Sequence, residues 1–304
     1  MKKTLPQIIA IVGATATGKS DLAVAIARRF DGEVVSADSR QVYKGLDIGA
    51  GKITKREMKG VPHHLLDVAN PKGDRYTVEK FKRDASKAIE DIVARGKLPI
   101  ICGGTGFYID ALISGEELPA VPPNKVLRAK LAKKSAEALM KELSKLDPRR
   151  ARDMDPHNKV RIIRAIEIAR ALGKVPRLKA AAKQAARYET LWIGLETDRD
   201  TLRKRINARL LKRMEGSRML REVESLRKKG VSWKRLHDFG LEYRHLALLL
   251  RKKTTKEAML TALEQDISNF AKRQMTWFKR NKDIHWLPIG SGAKAAALVR
   301  RFAR

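Results

Sequence analysis

One cysteine, Cys102, stands in 304 residues, which excludes an intramolecular disulfide and any Cys-rich zinc finger. No apolar run approaches the roughly 18–20 residues needed to span a bilayer; the longest, 8–12 and 98–102, are strand-sized. The basic start, Met1 to Pro6, leads into too short an apolar stretch for a secretory signal. Acidic side chains are in short supply, 34 against 66 Lys and Arg, for a formal net charge of +32. A hydrophobic fraction of 43% beside 33% charged residues argues against wholesale disorder, because such a chain buries enough to offset its ordering entropy. These bounds predict a soluble, intracellular, globular protein, cytoplasmic and with no membrane span, built as one large domain or two ordinary ones.

The charge is unevenly placed. Residues 1–120 hold 19 basic and 15 acidic side chains, whereas residues 121–304 hold 47 and 19. A basic excess of that size fits a polyanionic partner, since each neutralised phosphate releases condensed counterions. Charge alone separates neither RNA from DNA nor either from an anionic membrane, and a solvated basic face is the plain alternative.

Short apolar runs at 7–12, 33–37 and 98–102 alternate with helical patterns at 19–30 and 79–95. That alternation predicts an α/β fold with a parallel sheet and crossover helices. The prolines at 119–123 mark a change of texture, after which most of the chain reads as helix rich in Ala, Leu, Lys and Arg. Single helices are expected over 125–146, 159–172 and 200–229, with a strand at 191–195 that returns the chain to the sheet. The expected division is a core of 1–120 with about 189–304, and a basic helical insertion over about 121–188.

Gly13-Ala14-Thr15-Ala16-Thr17-Gly18-Lys19-Ser20 matches G-x-x-x-x-G-K-[ST] between a strand and a helix. Glycines let backbone N–H groups wrap a phosphate, and the helix N-terminus adds partial positive charge. Lys19 supplies a point charge and Ser20 a hydroxyl for Mg²⁺. Most such loops hold a nucleoside triphosphate, so ATP binding by a small-molecule kinase stays open here.

Asp38 follows the second strand and opens onto the same crevice, where it suits a metal ligand or a general base; a helix-capping turn is the bland reading. Gly103-Gly104-Thr105-Gly106 ends the third strand and brings a hydroxyl to that crevice. His63-His64 reads as a polar loop pair and Cys102 as a small buried hydrophobe. Trp277 and Phe278, set among Lys272, Arg273, Lys279 and Arg280, suit either a core pair or a nucleic-acid face.

Taken together, these strings resemble the tRNA dimethylallyltransferase (tRNA isopentenyltransferase) family. The matches are GATATGKS at 13–20, ADSRQVYKGLDIG at 37–49, PHHLLDV at 62–68 and GGTGFYI at 103–109. PHNKVRIIRAIEI at 156–168, RINAR at 205–209 and AKRQMTWFKR at 271–280 continue the same order. Residues 210–223 run one residue longer than the family's usual spacing, and 239–244 match its Gly-Tyr motif loosely. The fold this implies is a P-loop-type parallel sheet core with a mostly helical, basic insertion and a helical C-terminal part.

The activity it implies is transfer of a dimethylallyl group from dimethylallyl diphosphate to the N6 amine of the adenosine 3′ of the anticodon. The loop, residues 13–20, would then hold diphosphate, with Mg²⁺ on Ser20. Asp38, Thr105 and Arg209 are the implied catalytic residues. The implied contacts to the tRNA anticodon stem-loop are Asp38, Ser39, Arg40, Gln41 and Arg128; Val160, Arg161, Ile162, Ile163 and Arg164; and Lys272, Arg273, Gln274, Met275, Thr276, Trp277, Phe278 and Lys279. A monomer is expected. A free-nucleotide prenyltransferase would share the loop and Asp38 but would have little use for the basic half.

Overall fold

In the computed structural model, which describes residues 5–114, 119–176 and 187–303, the first apolar run forms β1 (Gln7–Gly13) with Ile8 to Val12 fully buried. It passes through the phosphate loop into α1 (Lys19–Arg29), whose Leu22, Ala23, Ile26 and Ala27 make one inward stripe. Then come β2 (Gly32–Ser36), the single turn α2 (Lys55–Met58), β3 (His63–His64), α3 (Val78–Ala94), β4 (Leu98–Cys102) and α4 (Gly106–Ile113). Four helices follow: α5 (Lys125–Ala132), α6 (Ala136–Leu146), α7 (Pro148–Arg152) and α8 (Lys159–Leu172). The chain returns through β5 (Glu189–Glu196), α9 (Arg199–Met214), α10 (Arg218–Lys228), α11 (Trp233–Phe239), α12 (Leu241–Leu250) and α13 (Lys256–Phe278). It ends with β6 (Ile284–Pro288) and α14 (Gly292–Phe302).

Two compact units result. One comprises Met1–Gly115 with Ala185–Arg304, the other Glu116–Gln184. In the first, six strands pair in the order β3-β2-β4-β1-β5-β6, every pair parallel. A parallel sheet is buried on both faces, which is why its strands read as unbroken apolar runs. Ile8, Ala10 and Val12 pack on one face with Phe81, Ile89 and Ile109 of α3 and α4. Ile9 and Ile11 pack on the other with Ile26 of α1 and Val299 of α14. The loops after β1, β2 and β4 therefore open at one edge, the carboxyl ends of neighbouring strands. A third core, built on Tyr243, Leu246 and Leu263, joins α9 to α13 and takes in Val42, Tyr43 and Leu46.

The second unit packs α5 to α8 around Leu131, Leu139, Leu143, Ile162 and Ile166. Buried Glu167 organises it, accepting from Arg128 (2.9 and 2.7 Å), Arg164 (2.5 Å) and the Asn124 N–H (2.6 Å).

Several expectations need correction. The helix expected over 125–146 is two, because Ser135 caps α6 with a side chain that accepts from the Ala138 N–H. The helix expected over 200–229 breaks at Gly216 and Ser217, which take left-handed φ values of 57° and 58°. His63-His64 is an edge strand beside β2, and His64 Nε2 lies 2.7 Å from Glu33 Oε2. Cys102 is buried, as expected. Of the Ala-rich stretch 179–187, residues 179–186 lie outside the described residues.

Candidate active site

The phosphate loop is held from several sides. Thr17 Oγ1 donates to the Ala14 carbonyl at 2.9 Å, and Lys19 Nζ donates to the same oxygen. Arg205 Nε reaches the Ala16 carbonyl at 2.8 Å. The Thr15 N–H donates to Gln274 Oε1 at 2.8 Å, and Gln274 Nε2 donates to the Gly104 carbonyl at 2.9 Å. Gln274 thus braces two glycine-bearing loops from α13. A Cβ on Gly104 would sit 2.1 Å from that amide nitrogen, so only glycine admits the brace.

Asp38 sits just past β2. Its Oδ1 accepts from the N–H groups of Arg40 (2.7 Å) and Gln41 (3.2 Å), an Asx-type turn that fixes the carboxylate. Thr105 Oγ1 accepts from the Ser39 N–H at 3.0 Å and so pins the loop after β4 to this turn. Facing them from α9, Arg209 donates to the Gly51 carbonyl at 3.1 Å and to Thr15 Oγ1 at 3.5 Å. A Cβ on Gly51 would lie 2.1 Å from Arg209 Nη2; glycine is what lets the guanidinium approach.

These groups enclose a cavity of about 580 Å³, whose walls include Thr15, Lys19, Ser20, Asp38, Gly51 and Arg209. Burial pulls the Lys19 ammonium down to about 8, and the Arg209 charge acts the same way, while Cys102 and Asp38 oppose it. Burial also lowers the Arg209 guanidinium, helped by Arg213. The cavity wall carries Lys19, Arg205, Arg209 and Lys212 beside Asp21, Asp38 and Glu57, so it offers cations to an anion and a carboxylate to a proton donor. Among the described residues no three His, Cys, Asp or Glu converge as a metal cluster.

The expected site residues fall into two sets. Thr15, Ala16, Gly18, Lys19, Ser20, Asp38, Gln41, Arg209 and Gln274 line the cavity, and Thr105 borders it through the Asp38 turn. On α13, Lys272, Arg273, Thr276 and Lys279 are exposed, whereas Gln274 and Phe278 turn inward. Trp277 Nε1 donates to Asp110 at 2.8 Å, with Arg280 3.8 Å above its ring. In the helical unit Val160 and Arg161 are exposed and Ile162 is core, while Arg128 and Arg164 share Glu167. Residues not anticipated on the cavity wall include Arg205, Lys212 and Phe270. Arg205 and Lys212 had a signal: with Arg209 they repeat at i, i+4 and i+7, one stripe of α9.

Residues 41–281 match the family model described as IPP transferase. The tRNA dimethylallyltransferase 2 of Treponema denticola is 46% identical over 286 residues, 92% of this chain and 95% of that protein. The full-length tRNA isopentenylpyrophosphate transferase of Bacillus halodurans superposes with a TM-score of 0.72 at 34% identity, covering 98% of this chain and 95% of the other. A eukaryotic dimethylallyltransferase, solved in snapshots of its action on tRNA, gives a TM-score of 0.81 at 25% identity, over 98% and 77% of the respective chains.

Proposed function

The chain belongs to the IPP transferase family, the tRNA dimethylallyltransferases, and on that premise we propose that it moves a dimethylallyl group from dimethylallyl diphosphate to the N6 amine of the adenosine 3′ of the anticodon in tRNA. The observation that carries this reading is one cavity with Lys19 and Arg209 in the same wall system as Asp38. Cations suited to a leaving diphosphate and a base suited to an amine share one space.

An allylic C–O bond breaks readily once its leaving oxygens are neutralised. Lys19, Arg209 and the loop N–H groups supply that neutralisation from fixed positions, where it is worth more than in water. The N6 nitrogen attacks the allylic C1 as the C–O bond breaks, and inorganic diphosphate leaves on the loop. The amine's proton passes to Asp38. Its Oδ1 already serves the Arg40 and Gln41 N–H groups, so Oδ2 takes the proton. Thr105 holds the Asp38 turn in register, and Ser39 and Gln41 meet the base or its neighbours. An adenine amine is a weak nucleophile, so positioning carries much of the barrier.

Mg²⁺ would suit the Ser20 hydroxyl, a hard oxygen on the cavity wall, since such an ion completes its shell with phosphate and water. When bound it adds positive charge to the diphosphate. The adenosine has to leave the loop stack, at a cost of a few kcal/mol. The helical unit, with Val160 and Arg161 exposed, and the outward stripe of α13 are the faces proposed to hold the RNA. Action as a cytoplasmic monomer belongs to the same proposal. No described helix is long and apolar enough to cross a membrane.

Mass spectrometry of unmodified tRNA, incubated with the protein, Mg²⁺ and dimethylallyl diphosphate, tests the reading. One added dimethylallyl unit on an anticodon-loop adenosine is the expected result. Prenylation of free AMP without tRNA modification would make it a nucleotide enzyme. Silence on both, with ATP hydrolysis abolished in Lys19→Ala, would make it a kinase-type phosphate-loop protein.

A further inference from the structure

Residues 47–51, which place Ala50 and Gly51 on the cavity wall, belong to no helix or strand. Their backbone is held by side chains more than 150 positions further along. Glu222 of α10 accepts from three successive N–H groups, those of Asp47 (3.1 Å), Ile48 (2.6 Å) and Gly49 (3.0 Å). It also accepts from the Tyr243 hydroxyl at 2.8 Å, and that hydroxyl accepts in turn from the Ala50 N–H at 3.1 Å. On the carbonyl side, Arg213 Nη1 donates to Ile48 (3.1 Å) and Gly49 (2.9 Å), while its Nη2 reaches Glu242 at 2.9 Å. The last carbonyl of the segment, Gly51, receives Arg209.

We propose that Glu222 is a positioning residue for the diphosphate: directly through three backbone N–H groups, and through Tyr243 to a fourth, it fixes the 47–51 loop and, by way of the Gly51 carbonyl, the Arg209 guanidinium. The physics favours a carboxylate here. Several amides converge on it, and a carboxylate offers acceptor sites only, whereas an amide would turn donors against donors. Glu222 touches no cavity atom, so its effect on the reaction has to pass through the loop. Loss of its acceptors leaves part-buried N–H groups unpartnered, and the loop moves to satisfy them. Arg209 then loses the carbonyl that aims it.

This rests on the reading that the cavity holds a diphosphate, and the test separates the two. Inorganic pyrophosphate binding by calorimetry, the Michaelis constants for dimethylallyl diphosphate and for tRNA, and the thermal midpoint are measured for wild type, Glu222→Gln, Glu222→Asp and Tyr243→Phe. Glu222→Gln is expected to weaken pyrophosphate and raise the dimethylallyl diphosphate constant about tenfold or more, a size set by the unpartnered amides. The tRNA constant stays within about twofold. Glu222→Asp, which keeps both acceptor oxygens, restores part of the loss, and Tyr243→Phe, which removes one link, gives a smaller change of the same sign. If Glu222→Gln does not fold, Tyr243→Phe decides alone. Unchanged pyrophosphate affinity in a folded variant, or equal losses for pyrophosphate and tRNA, would overturn the proposal. Wild-type protein that fails to prenylate tRNA yet binds pyrophosphate in a Glu222-dependent way would overturn the functional reading and leave the positioning role standing.

Discussion

Opposite ends of one parallel sheet carry the same kinds of charged residue and treat them differently. At the amino end of β2, Glu33 accepts both guanidinium nitrogens of Arg95, takes His64 at 2.7 Å and has Lys97 at 3.8 Å. Four ionisable groups are spent on one another. At the carboxyl end, Lys19 and Arg209 bond mainly to backbone carbonyls, and Asp38 accepts, among the described residues, from backbone N–H groups nearby in sequence. Their charges are oriented but not cancelled. The contrast separates charge that holds a fold from charge held ready for a ligand: the second kind is positioned by neutral dipoles and faces open volume.

The largest effect is expected at Asp38. Asp38→Asn keeps an acceptor oxygen for the Arg40 and Gln41 N–H groups, so the turn survives, but it accepts no proton. Turnover is expected to fall by on the order of 10²–10⁴-fold, with tRNA binding by filter assay retained. Loss of tRNA binding together with turnover would show that Asp38 belongs with the structural charges of the other end.

Arg209→Ala comes next. It should raise the Michaelis constant for dimethylallyl diphosphate by about ten- to a hundredfold, the range for losing a charged hydrogen bond, and move the tRNA constant far less. A change confined to the tRNA constant would reassign Arg209 to the RNA. A milder effect comes from proton concentration. Lys19 is held down to about 8, so the free protein carries the cationic form below that pH and loses it above. Relative to Lys19→Arg, wild-type affinity for inorganic pyrophosphate should fall above about pH 8 by at most tenfold per unit, where each unit costs the site one proton's worth of binding. In Lys19→Arg, whose side chain stays charged, that step should vanish from the profile.

What the sequence disclosed tracks the distance over which each feature is decided. The phosphate loop, Asp38, the GGTG turn and the strands β1, β2, β4 and β5 are set by local pattern, and each was legible. The helix breaks at Ser135 and Gly216 were missed because good helix formers surround single residues whose capping or left-handed backbone decides the matter. β3 and β6 pair only at the sheet edges, and neither His63-His64 nor 284–288 forms a long apolar run. The supports of the site lay further out of reach. Gln274 meets Thr15 across 259 positions and Glu222 meets Ile48 across 174, and no short motif announces a hydrogen bond between distant segments. Family resemblance marked Gln274 as important; its inward brace became visible only in three dimensions.

The smallest expected effect on the reaction belongs to the other end of the sheet, at Glu33. The hydrogen bonds from Arg95, then that from His64, hold its carboxyl down at about 2, against an ordinary value near 4.5. A carboxylate with a depressed native value contributes stability that is fully present above the unfolded value and is lost as pH falls through the native one. Glu33→Gln should therefore lower stability at pH 7 by about 2–3 kcal/mol, discounted because Arg95 is partly solvated. The gap between variant and wild type should narrow as pH drops from about 4.5 towards 2, read by denaturant midpoints across that window. Turnover on tRNA per folded molecule should not change. Should Glu33→Gln instead lose activity while its denaturation curve matches wild type, the amino end would be part of the working site and the division between spent and available charge would fail.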